Sequence, residues 1–522
     1  MNTRSGLRTA LWACALVLLV LAWWRPMALP DEGRYGDIGR FMMVSGDWLA
    51  PRLDGLPFFH KPPLLHWLQA TALSLAGVHV WVSRLVIALH AVLMLWTMAW
   101  VARRLWGDDL ALRAVLMLGT SLAFLIGGQY INHDMVVAAW ISMAIACFAL
   151  SMLSGDPPHR GLAWMGFAAC GVGVLAKGLI GLALPGLVMV VWVTLTRQWR
   201  KALHLPWFSG LVLLALITLP WFIQVERAHP GVFDYLIIGQ HFGRYTGSTF
   251  NNPWPWWFYP VILVGLLFPW ALLAYGAAIR NLMNAPWGWW RPVSPERALL
   301  WVWLIAITAF FSLPRSKLVG YILPVLPPLT LLVADAWQRL WGKQRAAQAL
   351  LSLGVAMNLG LAVWANHAAG AFTLRKSSVD VARSLACRMQ PTDAVWVAGA
   401  YPYDLPYLAH LTQPVVVLAD WEQARRSAGD NWQRELFEGA EFDPAMAERV
   451  LQPLTRLQQP PDTGAWLVTP QDAWPADQLP HWQVVTRGRA WTLWRSAQSA
   501  GKGPEAAQQK SLDCGDDHRD PQ

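Results

Sequence analysis

A polypeptide crosses the roughly 30 Å hydrocarbon layer of a bilayer as a helix of about 20 apolar residues, because a helix pairs all its backbone N–H and C=O groups within the segment. This chain carries such runs from its N-terminus to about residue 366, and we read about eleven of them. Charged residues make up only 14% of the chain, against roughly 25% in an ordinary soluble domain. Tryptophan is abundant, at 35 residues, many at the ends of apolar runs, where an amphipathic indole settles among the headgroups. An ordinary water-soluble fold is excluded. The expected fold is an all-α polytopic membrane protein with a small α/β domain after the last span.

A net charge of +9 in a soluble protein would suggest a nucleic-acid partner. Here the cations lie in short loops, so they read as topology determinants and no nucleic acid is expected. Arg4 and Arg8, Arg103, Arg104 and Arg113, Arg160, Arg197, Arg200 and Lys201, Arg280, Arg291 and Arg297, and Arg339, Lys343 and Arg345 fall in alternate loops. The positive-inside rule places those loops in the cytoplasm together with the N-terminus. An odd number of spans then puts the C-terminal region on the outer side of the membrane. The first run has no small-x-small cleavage site, so it reads as an uncleaved span rather than a signal peptide.

The division expected is a transmembrane domain over residues 1–368, with outer loops at 31–63 and 225–256, an α/β domain over 369–497, and a disordered tail over 498–522. In the second of these, short apolar runs such as AVWVAG, PVVVLA and AWLVT stand between turn signals and read as buried strands, while DNWQRELFEGAEF reads as helix. The tail is polar throughout. Cys14, Cys147 and Cys170 fall in apolar runs, Cys387 and Cys514 in the polar region, and no CxxC spacing occurs. The last two could form one disulfide.

The residues with chemical content collect on the outer side. Asp31 and Glu32 follow the first span; an adjacent carboxylate pair can act as base, metal ligand or electrostatic clamp, or simply cap a helix. Lys61, in HKPP, stands just ahead of prolines suited to a first helical turn, where free N–H groups and an ammonium make an anion site. A snorkelling lysine is the bland alternative. Asp134 lies at the outer end of a span and must face a polar cavity or the interface. Lys177 lies between two apolar runs with almost no loop, so it either snorkels or pairs with an anion. His241 precedes Arg244 by three residues, which would put both on one face of an α-helix, and an arginine can hold a phosphate in a bidentate fork. Arg315, Lys317 and Tyr321 share a loop without a carboxylate, which fits an anionic substrate or lipid headgroups. Each of these signals is modest alone, and their convergence on one face is the argument.

The segment DEGRYGDIGRFMMVSGDWLAPRLDGLPFFHKPPLLHWL, together with INHDM, LAKG, QHFGRY followed by PWWFYP, and SLPRSKLVGYILP, closely resembles the bacterial lipid A aminoarabinose transferase family. That family lies within the GT-C glycosyltransferases and is related to protein O-mannosyltransferases. The resemblance covers most of residues 25–335. It implies transfer of a sugar from a polyprenyl phosphate donor to a lipid acceptor at the periplasmic face. It assigns catalysis to Asp31 and Asp134, and the donor phosphate to Lys61, with Arg244, Lys317 and Tyr321 sharing that work. Glu32, Arg34, Tyr35, Lys177 and Arg315 are further substrate-binding candidates. Family members usually carry an acidic residue where this chain has His60, and some bind a metal there with the histidine matching His241. His60 and His241 are accordingly the candidates for zinc, although the ligand set has changed.

The chemistry implied is an inverting displacement. The acceptor oxygen attacks the anomeric carbon while the polyprenyl phosphate leaves, and cations stabilise the charge growing on that phosphate. Two other readings have different consequences. A flippase for a lipid-linked sugar would need polar access from both faces and commonly shows an internal repeat, and none is visible. Transfer to a protein hydroxyl would use the same donor with another acceptor.

Overall fold

The computed structural model describes residues 3–23, 25–243, 253–272, 276, 294–342, 344–427, 429, 431–461 and 464–497. It divides into two compact units. The first comprises Met1–Ala22, His60–Leu65 and Arg84–Asn366, the second Trp23–Phe59, His66–Ser83 and His367–Gln522.

The first unit is helical. Among the described residues, seven helices of the chain are long and apolar enough to cross a membrane: Thr3–Trp23, Val80–Trp106, His133–Leu153, Trp207–Ala228, Pro295–Ser312, Val319–Trp341 and Arg345–Leu374. The apolar helix Ile180–Thr196 is shorter. Helix His133–Leu153 is buried on every side. It packs against Arg160–Lys177, Ile180–Thr196 and the 3-10 turn Val319–Val325. Glycines permit the closest of these approaches: a Cβ on Gly181 would run into the backbone of Gly173.

Several apolar runs are not single helices. The apolar stretch leading to Gly127 is divided into Asp108–Gly119 and Leu122–Gly127, with Ser121 accepting from the Phe124 N–H to start the second piece. The stretch expected as a loop over 225–256 begins inside helix Trp207–Ala228 and continues as a π-helix, Tyr235–Gly243. Its i→i+5 bonding differs from the α-helical spacing that suggested a common face for His241 and Arg244. Arg244 itself lies outside the described residues, as do the tail over 498–522 and Cys514.

The second unit contains a six-stranded sheet. Its order is Leu451–Pro453, Val416–Ala419, Ala394–Ala398, Ala465–Pro470, Trp491–Ser496 and Trp482–Arg487. The first four strands are mutually parallel and the last two are added antiparallel. The AVWVAG, PVVVLA and AWLVT runs are thus strands, and the helix Trp432–Ala440 begins at Asn431, whose side chain accepts from the Arg434 N–H.

One face of this sheet is covered by residues far away in sequence. Ile38, Leu53, Leu56 and Phe58 share a buried core with Val397, Val417, Trp466 and Leu493. The outer segment assigned from sequence to the transmembrane domain therefore folds with the C-terminal sheet. Polar ties hold it there: Arg40 donates to the Leu411 carbonyl at 2.6 Å, and Asp54 accepts from the Val415 N–H at 2.8 Å. Burial raises the Asp54 carboxyl well above the ordinary range; the Val415 hydrogen bond opposes that rise and Asp37 adds to it.

Candidate functional site

In the helical unit, the site forms where three elements end. Asn132 caps helix His133–Leu153 by accepting from the Asp134 N–H at 2.9 Å. Its amide also donates to Asp134 Oδ2 at 3.1 Å. Asp134 therefore sits in the first helical turn, where a carboxylate is favoured by the helix dipole. Lys177 is the last residue of helix Arg160–Lys177 and ion-pairs with Asp134 Oδ1. Both side chains are about nine-tenths buried, at 9% and 10% exposure. The third element is the turn carrying Gly320 and Tyr321. The Lys177 ammonium lies 4.3 Å from the centre of the Tyr321 ring, a cation–π contact. Gly320 lies so near Asp134 that a Cβ there would overlap its carboxylate. Asp134, Lys177, Gly320 and Tyr321, with Val137, Ile141, Ile180, Phe311 and Pro324, line one small cavity.

The same turn buries Lys317. Its ammonium donates to the carbonyls of Trp254, at 2.9 Å, and Pro314. Burial pushes it below the ordinary lysine value. A short bridge from Pro253 to Ser316 and the Trp254 N–H donating to the Arg315 carbonyl hold the segment in place. The Arg315 side chain is exposed. Lys61 is half-buried, three residues ahead of helix Leu64–Ala76 with Pro62 and Pro63 between. The His60 ring tilts against Tyr235 at 5.9 Å. The His241 side chain lies outside the described structure. Among the described residues, no group of three histidines, cysteines or carboxylates gathers as metal ligands.

In the other unit, Asp31 and Glu32 open helix Asp31–Ser45, but they have different surroundings. Glu32 is fully buried; its carboxylate takes both Arg25 guanidinium nitrogens, at 2.6 and 2.9 Å, and the Ala28 N–H at 2.6 Å. Glu32, expected as a substrate-binding candidate, is thus bound to Arg25 and the Ala28 N–H. Its oxygens are bound within the protein, and it braces the start of the helix. Asp31 retains 31% side-chain exposure and pairs with Arg34. Arg34 also pairs with Glu435, and its guanidinium lies over the rings of Tyr35 and Tyr403, at 4.7 and 5.8 Å. Burial opposes the Arg34 charge, but Tyr35, Asp31 and Tyr403 together raise its pKa above the usual value.

The sequence reading missed Asn132, Gly320, Tyr403 and Glu435. Asn132 could have been found, since an asparagine just ahead of an apolar run is a helix-cap signal. The others carry no local signal.

The helical arrangement has known relatives. The model of the dolichyl-phosphate-mannose-protein mannosyltransferase family matches residues 10–236. An undecaprenyl phosphate-alpha-4-amino-4-deoxy-L-arabinose arabinosyl transferase from Pseudomonas paraeruginosa is 33% identical over 379 residues, 71% of this chain and 67% of that protein. One from Sodalis glossinidius is 30% identical over 83% of this chain and 74% of its own. This chain belongs to the aminoarabinose arabinosyl transferase family. The crystal structure of a family member, ArnT from Cupriavidus metallidurans bound to undecaprenyl phosphate, superposes with a TM-score of 0.80 at 27% identity. The match covers 96% of this chain and all of that one. As a member of the family, the chain is a multi-pass inner-membrane glycosyltransferase of the GT-C type.

Proposed function

We propose that the enzyme moves a 4-amino-4-deoxy-L-arabinose-type sugar from undecaprenyl phosphate to a lipid A-type acceptor on the periplasmic face, with its N-terminus in the cytoplasm and its C-terminal domain outside. The observation that carries this reading is the match along nearly the whole chain to a structure that holds undecaprenyl phosphate. The positive-inside pattern supports the orientation.

In the proposed reaction an acceptor oxygen attacks the anomeric carbon, the bond from that carbon to the phosphate oxygen breaks, and undecaprenyl phosphate departs with the electron pair. Lys61, Arg244, Lys317 and Tyr321 are assigned to the departing phosphate. Their charge and hydrogen bonds count most where water is excluded. Asp31 is assigned to the acceptor, which it orients or, for a hydroxyl, deprotonates. Asp134 has a different setting. Its pairing with Lys177 beside Tyr321 suits it to fix the position of a cation that meets the substrate. Arg34, Tyr35 and Arg315 are secondary binding candidates. His60 and His241 are the residues that would contribute to a zinc ion, and no step is routed through one.

The test is transfer of labelled sugar from undecaprenyl phosphate to lipid A by the purified protein in liposomes, beside Asp31→Asn. The parent is expected to transfer label, and the variant to lose at least about a hundredfold in kcat, the usual contribution of a positioned acid–base group. A variant with parental kcat would remove Asp31 from the mechanism. A parent that labels protein and leaves lipid unlabelled would replace the acceptor.

A further inference from the structure

We infer that Glu435 and Tyr403, both from the C-terminal sheet domain, are positioning residues for Asp31 and act through Arg34. The inference rests on the functional reading in which Asp31 meets the acceptor.

The chain of contacts is continuous and has a direction. The Tyr403 hydroxyl donates to Glu435 Oε2 at 2.7 Å. Glu435 Oε1 takes one guanidinium nitrogen of Arg34, and Asp31 takes the other. Exposure rises along this relay: the side chains are 11% exposed at Glu435, 13% at Arg34 and 31% at Asp31. The buried end thus lies in the sheet domain and the end open to a substrate is Asp31. The rings of Tyr35 and Tyr403 restrict the guanidinium further.

The physical consequence follows from charge. One guanidinium serves two carboxylates. While Glu435 is ionised, Arg34 is shared between Glu435 and Asp31, and it orients the Asp31 carboxylate through one nitrogen. If Glu435 loses its charge, Arg34 can close on Asp31 alone in a bidentate pair. That carboxylate would then be a weaker partner for the acceptor. Glu435 is not needed to dock residues 31–59 on the sheet domain, since the apolar core and the Arg40 and Asp54 hydrogen bonds already do so. A purely structural role therefore predicts little effect of its neutralisation.

The experiment uses the full-length protein in liposomes, with undecaprenyl phosphate-linked aminoarabinose and lipid A. It compares the parent with Glu435→Gln, Tyr403→Phe, Arg34→Gln and the double variant Arg34→Gln/Glu435→Gln, and thermal midpoints are measured in parallel. Glu435→Gln is expected to lower kcat about tenfold with KM changed less than about twofold, the pattern of an interaction used in the transition state. Its midpoint should match the parent. In the Arg34→Gln background it should add nothing, because its effect passes through Arg34. Parental kcat in Glu435→Gln, or a full independent loss in the double variant, overturns the inference. If Glu435→Gln proves unstable, Tyr403→Phe decides: a lowered kcat at parental midpoint supports the relay, and parental kcat overturns it. A parent that transfers nothing from this donor would overturn the functional reading as well, whereas a transferring parent with a parental Glu435→Gln overturns the relay alone.

Discussion

Asp134 and Lys177 show how a membrane domain can hold ionised groups. Each would be costly alone in a low-dielectric interior, and pairing makes both tolerable. Breaking the pair from one side should therefore be worse than removing it. Lys177→Met leaves Asp134 buried without its cation and is expected to destabilise the protein by about 3–5 kcal/mol, read as a lower thermal midpoint in detergent. Asp134→Asn/Lys177→Met should recover most of that stability while transferring no sugar. A double variant as unstable as the single one would mean that the pair does not bear this load. The position of both residues at span ends was legible in the sequence, where an ionisable group beside an apolar run stands out. Their partnership was not, because no spacing rule connects residues on different helices. Glu32 is the converse case: adjacent in sequence to Asp31 and chemically alike, it has different surroundings because a helix turns neighbouring side chains in different directions, and this one faces Arg25.

At the scale of elements, the site depends on how closely helices Arg160–Lys177 and Ile180–Thr196 meet. Gly173 and Gly181 face each other where no side chain fits, an approach that small residues allow in membranes. Lys177 lies between those glycines in sequence, so separating the helices should draw it away from Asp134. Gly181→Val is expected to lower both the thermal midpoint and the transfer rate, with Gly181→Ala in between; parental behaviour of the valine variant would show that the approach is not needed. The existence of most helices could be read from apolar runs, because lipid requires every backbone group to be paired internally. The break at Thr120 and Ser121 and the π-helical Tyr235–Gly243 could not, since hydropathy alone does not distinguish a straight span from a broken or re-wound one. The strands of the sheet domain were legible for another reason: short β-branched and aromatic runs between turn signals suit a strand buried on both faces.

For the molecule as a whole, the orientation in the membrane is testable through a single thiol. Cys387 is exposed on helix Val379–Arg388, whereas Cys14, Cys147 and Cys170 are buried. In a Cys514→Ser variant, a membrane-impermeant maleimide added to intact spheroplasts should label Cys387, with the other thiols silent until the protein is denatured. Labelling that requires lysis of the spheroplasts would place the sheet domain in the cytoplasm and overturn the proposed orientation. The sequence by itself determined the class of fold, with its several apolar helices, and the strands of the last domain, because these follow from local hydropathy and turn signals. Only the tertiary structure decided that residues 31–59 belong to the core of the C-terminal sheet, that Asp134 is matched to Lys177, and that Asp31 is linked through Arg34 to Glu435. Such contacts join residues up to about 400 positions apart, and their energy comes from burial and charge pairing that exist only once the chain has folded.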